Sequence, residues 1–369
     1  MAVNDRKEEK ETLPRRRGPG RAAQHGYPAV LPHCAAAAVG SIPHVDPAQG
    51  LELVLHYTPE IPTWPQLPRR DQREGFYAQF LEGLPGLELD REAERLWVGD
   101  TDPDEFERFY EALEADDLEA FAISEEAAAT LPLLLRSLEQ SAPPFVKGQV
   151  TGPISLALGV TFANRRALLH DPTYREIISA MVGRKARWQE ALFARTAPAS
   201  LPLIVFDEPF LTQLGSAFVS MPEDVVLPLL EECLTAVRCL RGVHVCGGTD
   251  WERVARLPLD LLNFDAAGHM EAILANREAV AAFVAEGGLL MWGIVPTDES
   301  ALALDPAVLG ARVLAAAAEL AAAGGLSLER VLAASFVSPA CGTGTLTTEV
   351  AEACFRRTAE TSAWLRASA

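Results

Sequence analysis

His244 and Cys246 stand two residues apart in the run GVHVC (242–246), so on a β-strand both side chains point to one face and can reach one ion. A third soft ligand, Cys341, arrives much later, in SPACGTG (338–344). Thiolates with an imidazole favour zinc, and three protein ligands with a fourth position open or exchangeable describe a catalytic rather than a structural site. Taken singly, each residue reads more readily as a core side chain, because free cysteine is among the most buried types. Their joint placement beside glycine (Gly247 and Gly248, then Gly342 and Gly344) reverses that balance, since glycine lets the backbone approach a ligand. A free thiol, with a pKa of about 8.5, is mostly protonated at neutral pH, whereas a zinc-bound thiol is deprotonated. The chemistry this trio suggests is therefore thiol activation.

Positioning three such residues takes several strands. Short β-favouring apolar runs occur at 35–40, 60–64, 145–150, 201–207, 242–246, 259–265, 288–295 and 334–339, most of them followed by an amphipathic stretch of helical period. Several are apolar on consecutive positions, as strands buried on both faces are. Eight such units predict an α/β chain folded as a single TIM (β/α)8 barrel, with residues 65–144 as an enlarged connection after strand two. A doubly wound open sheet uses the same alternation and stays open as an alternative. The unusual residues fall at strand C-terminal ends, where barrels collect catalytic groups: GSIPH after the first run, TGP after the third, DEP at the end of the fourth, HVCGG, Asp265 and PACGTG after later ones.

The chain has 369 residues, 49% of them hydrophobic. Residues 1–27 are dense in charge, proline and glycine and are expected to form a disordered tail, leaving 28–369 as the barrel domain. The tail carries net +3, which leaves −22 on the rest of a chain of net charge −19. So acidic a body repels phosphate backbones, which argues against nucleic acid or an anionic membrane as partner. No apolar run is read as approaching the 18 or so residues needed to cross a bilayer. Six cysteines spread through a long chain without a signal peptide suggest free or metal-bound thiols in a reducing compartment, by default the cytoplasm. Cys34, Cys233, Cys239 and Cys354 are expected to be core residues.

The motifs VGSIP (39–43), KGQVTGP (147–153), FDEP (206–209), HVC (244–246), WGIVPT (292–297) and SPACG (338–342) stand in one order over nearly the whole chain after the tail. In them the sequence resembles the catalytic C-terminal barrel of cobalamin-independent methionine synthases and their single-barrel relatives. These belong to a superfamily that also holds uroporphyrinogen decarboxylase and corrinoid-linked methyltransferases.

The resemblance implies a zinc ion held by His244, Cys246, Cys341 and a carboxylate at the end of the next strand. Here that carboxylate is Asp265, one methylene shorter than the family's glutamate. His269 is a second candidate for the fourth position. The resemblance also implies that Gly40, Ser41 and Asp207 hold the amino-acid end of homocysteine, a small-molecule thiol substrate. Glu208 beside Asp207, His44 after GSIP and Glu74 from the long connection are further substrate candidates, with a structural ion pair as the alternative for Asp207 and Glu208. Trp64 and Trp292 either floor the pocket or pack. The family's folate-binding glutamate is replaced by Gln213, and where the family has a histidine as proton donor stand Thr297, Asp298 and Glu299. These departures favour methylcobalamin, free or on a corrinoid protein, over methyltetrahydrofolate as methyl donor. Other readings are a uroporphyrinogen-decarboxylase-like enzyme, a corrinoid methyltransferase acting on another thiol, and a non-catalytic zinc-binding partner of a methyltransferase complex.

Overall fold

A computed structural model describes residues 30–214 and 221–368; the tail expected over 1–27 lies outside the described residues. Ten strands are present: β1 Ala35–Ala36, β2 Leu87–Asp90, β3 Arg95–Val98, β4 Phe145–Thr151, β5 Thr161–Phe162, β6 Leu201–Asp207, β7 Leu240–Val245, β8 Leu261–Asp265, β9 Leu289–Val295 and β10 Ser335–Pro339. Seven form one all-parallel sheet in the order β1-β10-β9-β8-β7-β6-β4. Nearly every residue of these strands is buried, which is why their sequences read as continuous apolar runs rather than alternating ones.

The sheet curls. Phe145 on β4 and Phe336 on β10 stand five strands apart in the sheet order, roughly 24 Å if the sheet were flat. Their ring centroids are 5.2 Å apart, so the two regions face one another across an interior. The run 60–64, expected as the second strand, is not one of the strands. It is an irregular segment that touches both edges of the sheet instead. The Phe145 and Lys147 amides donate to the Glu60 and Pro62 carbonyls at 3.0 and 2.9 Å, Thr63 bridges Lys147 in parallel, and the Ile42 amide donates to the Gln66 carbonyl at 2.9 Å. Pro62 and Pro65 lack the amide that a regular ladder needs on either side, which accounts for bridges without a continuous strand.

Thirteen α-helices are described, and those that follow the sheet strands cover its outer face; Pro172–Thr196, for example, packs on β4 and β6. The long connection has structure that sequence periodicity did not show: β2 and β3 pair antiparallel, and β5 joins β3 to complete a three-stranded side sheet. These strands are short and partly exposed, so they leave little hydrophobic signal. One correction concerns membrane-length segments. Helix Pro306–Gly324 is long and apolar enough to cross a bilayer by length and composition, although it includes Arg312 and Glu319. Its buried stripe, Leu309, Val313, Ala316, Ala317, Leu320 and Ala321, recurs at helical spacing, and the helix packs against Arg277–Ala285 and Thr348–Ser368.

Candidate metal centre

His244 is the fifth residue of β7, Cys246 follows that strand's end, and Cys341 lies two residues past β10. Their ligand atoms all lie within 4.8 Å of one another. This is the one group of three or more His, Cys, Asp or Glu side chains so disposed among the described residues. His244 is buried, and neither ring nitrogen has a hydrogen-bond partner of standard geometry. Burial lowers its pKa, but the Cys246 sulfur and the Asp207 carboxylate outweigh that and hold it raised. Hydrogen bonding from Cys341 and His244 holds the Cys246 sulfur well below the usual thiol range, against the burial that raises it, while the hydrogen bond to Cys246 and burial hold Cys341 raised. By contrast burial pushes Cys34 and Cys354 up to about 11, as befits inert core thiols.

Neighbouring strands in register place three polar side chains in one row at the strand ends, because paired residues of a parallel sheet share a face. Asp207 pairs with His244, and His244 with Asn263. Asp207 Oδ1 and Asn263 Oδ1 are buried without hydrogen-bond partners. Buried polar atoms are rarely left unpaired, so such a row points to a bound group. Burial raises the Asp207 carboxyl to about 6, while His244 and Lys147 lower it. Asn263 was missed by sequence reasoning; its signal was a lone amide inside an otherwise apolar strand, LLNFD.

Gly40 and Ser41 form a turn clasped to the Cys341 loop. The Thr343 amide donates to the Ser41 carbonyl at 2.8 Å, and the Gly344 amide to Ser41 Oγ at 3.3 Å. A Cβ on Gly342 would stand 2.4 Å from Ser41 Oγ, so only glycine allows this approach without displacement.

Other candidates are placed elsewhere. Glu208 does not face the metal centre: its carboxylate accepts the Ile154 and Ser155 amides at 2.9 Å and Ser155 Oγ at 2.7 Å, capping helix Pro153–Gly159. Glu74 is buried, with its oxygens taken by the Leu67 amide at 2.9 Å and Arg70 at 2.5 Å. His44 turns to the C-terminal helix, its Nε2 3.5 Å from Glu352. Asp265 is not part of the three-residue group; its Oδ1 accepts the Gly268 amide at 2.7 Å, and Oδ2 stands 4.0 Å from His269. Trp64 and Trp292 are fully buried and donate to Gln189 and to Ser335 Oγ, so they pack rather than floor a pocket. Asp298 caps a short 3-10 helix through the Ser300 amide.

No protein-family model and no curated protein matches the sequence. Solved structures do. A B12-independent methionine synthase from Shewanella sp. W3-18-1, in complex with selenomethionine, aligns with a TM-score of 0.57 at 14% identity, over 92% of this chain and 99% of that one. A protein from Listeria monocytogenes described as a vitamin-B12-independent methionine synthase aligns with a TM-score of 0.54 at 14% identity, over 92% and 98%. The chain shares the fold of B12-independent methionine synthases. The likeness spans nearly the full length of both neighbours.

Proposed function

We propose that the chain is a zinc-dependent methyltransferase that moves a methyl group to a thiol, homocysteine, giving methionine. The observation that carries this reading is the convergence of His244, Cys246 and Cys341, with the unpartnered Asp207 carboxylate on the adjoining strand. In the same reading the segment 60–66 acts as the eighth stave of a barrel.

Two sulfurs and an imidazole close together, the imidazole buried with neither nitrogen in a hydrogen bond of standard geometry, suit a zinc ion, and small side-chain adjustments reach its bond lengths of about 2.0–2.3 Å. His244, Cys246 and Cys341 would hold it, and bound there it would supply the acidity that keeps a substrate thiol as thiolate at neutral pH. Asp265, across the same strand ends, is our candidate for the fourth position. Asp207 Oδ1 accepts the substrate's ammonium group, and the Gly40–Ser41 turn receives its carboxylate end. Held at both ends, the sulfur needs only to meet the donor methyl in line: a C–S bond forms as the methyl leaves its donor.

For the donor we propose a methylcorrinoid, free or on a partner protein. Asp298 is committed to its cap and no histidine stands with it in the turn after β9, so that turn offers no imidazole to protonate a folate leaving group. The two structural neighbours are named as B12-independent, which speaks against a corrinoid donor, and the assay separates methylcobalamin from methyltetrahydrofolate. With zinc and homocysteine supplied, demethylation of methylcobalamin is expected; turnover of methyltetrahydrofolate alone would reverse the donor assignment. Transfer from neither donor, with no binding of homocysteine by the zinc-loaded protein, would instead support a non-catalytic metal-binding role.

A further inference from the structure

The chain contains four lysines against 28 arginines, and two of the four, Lys7 and Lys10, lie outside the described residues. The other two, Lys147 and Lys185, are both completely buried. Wherever a cation meets solvent in the described protein it is therefore an arginine, or a histidine when protonated. Lysine is kept for enclosed positions, where a compact single-point ammonium fits and a planar guanidinium with five donors does not.

Lys147 lies on β4, whose inward positions also include Gln149 and Thr151. Its Nζ crosses the interior to donate to the Val39 carbonyl at 2.5 Å, and reaches Gln149 Oε1 at 3.3 Å. Gln149 is itself fixed, donating to the Trp64 carbonyl at 2.8 Å and accepting from Thr63 Oγ1 at 2.8 Å. Val39 immediately precedes the Gly40–Ser41 turn, and Gly40 packs against Gln149 and Gln66 so closely that a Cβ would meet Gln66 Oε1 at 2.9 Å. The ammonium thus ties β4 directly to the turn after β1, and through Gln149 to the segment 60–66, which the backbone joins to them only by isolated bridges. Burying a charge is costly unless it is paired and hydrogen-bonded, and an apolar side chain of similar volume would pack there at lower cost. Stability alone does not account for a lysine at this point.

We infer that Lys147 is a positioning residue whose buried ammonium holds the Val39–Gly40–Ser41 turn in place for the amino-acid end of the thiol substrate. The inference rests on the proposed function for the substrate, but not for the turn. Lys185 provides a matched control, being equally buried but on an outer helix, where its Nζ faces the Phe121 carbonyl at 3.4 Å.

The test compares Lys147→Met with Lys185→Met in the full chain, with Lys147→Gln as a second variant should the first fail to fold. Three quantities are measured: zinc content, amide hydrogen exchange over residues 38–45 and 340–346, and steady-state kinetics with homocysteine. Lys147→Met is expected to keep its zinc, to exchange faster in those two segments while the other strands are unchanged, and to raise KM by about tenfold or more with little change in kcat. Lys185→Met is expected to change neither exchange in those segments nor KM. Unchanged exchange over 38–45 in both Lys147 variants would overturn the inference, as would a KM equal to wild type in a protein that turns over. If the wild type itself does not use homocysteine, the functional reading fails and the exchange comparison alone decides the role of Lys147.

Discussion

Cys341, two residues past β10, and His244, inside β7, lie within reach of one ion although almost a hundred residues separate them. Cys341→Ser keeps the shape of Cys341 but replaces a soft thiolate by a weak oxygen donor. Metal analysis is expected to find one equivalent of zinc in the wild type and little in the variant; equal zinc in both would refute the centre. Asp207 is a different case, because its Oδ1 has no partner within the protein. Asp207→Asn removes the charge and leaves the shape, so it is expected to raise the KM for homocysteine between about tenfold and a hundredfold with zinc content unchanged, as for loss of a charge-assisted hydrogen bond. Kinetics together with metal analysis check this. A fall in zinc would show that Asp207 acts on the metal rather than on the substrate.

At the scale of elements, Glu208 and the Ser41 clasp decide how strand ends are held. Burial raises Glu208 from 4.5 to about 7, against hydrogen bonds from Ser155 and Ile154 that lower it. A carboxyl whose folded pKa lies above its unfolded value holds its proton more tightly in the native state. Its contribution is therefore most favourable below about 4.5 and is lost as pH rises to about 7. The melting temperature of wild type relative to Glu208→Gln is expected to fall between pH 5 and pH 7 and to level off above; a difference independent of pH would contradict the assignment. At the clasp, Gly342→Ala forces Ser41 Oγ to rotate off the Gly344 amide. Both Gly342→Ala and Ser41→Ala then delete the same hydrogen bond. Each is expected to cost about 1 kcal/mol in denaturant unfolding, and the double variant no more than about 1 kcal/mol in all. Additive losses would mean that the two residues act separately.

For the whole molecule the question is whether the metal makes the fold or the fold makes the site. All three ligands sit at the rim of a sheet whose strands are buried along almost their full length, over a core that includes Phe145, Phe206, Phe264, Trp292 and Phe336. Unlike a zinc finger, a body with so large a core is expected to fold without a metal ion. Chelation is expected to lower the melting temperature, since an ion bound only by the native state adds stability by mass action, while the far-UV circular dichroism stays unchanged. Collapse of the helical signal on chelation would make the centre structural instead.

All seven strands of the large sheet, which are seven of the eight expected runs, the alternation with helices and the clustering of unusual residues at strand ends were legible because buried parallel strands leave apolar runs and strand ends leave glycine, proline and charge. His244 and Cys246 were legible as a pair from a spacing of two. Their meeting with Cys341 was an expectation until the curl of the sheet brought β10 round, since contact between residues almost a hundred positions apart is a property of closure and register and leaves no local periodicity. The same holds for the residues that changed role. Glu208 adjoins Asp207 in FDEP, yet alternation along the chain sends the two to different surroundings, one to the metal row and one beneath a helix N-terminus. Asn263 entered the row because strand pairing set it beside His244, and Lys147 reaches the Val39 carbonyl before the Gly40–Ser41 turn because its side chain crosses the interior. Residue type and spacing along the chain therefore determined which chemistry was available, and tertiary register decided which of those residues deliver it.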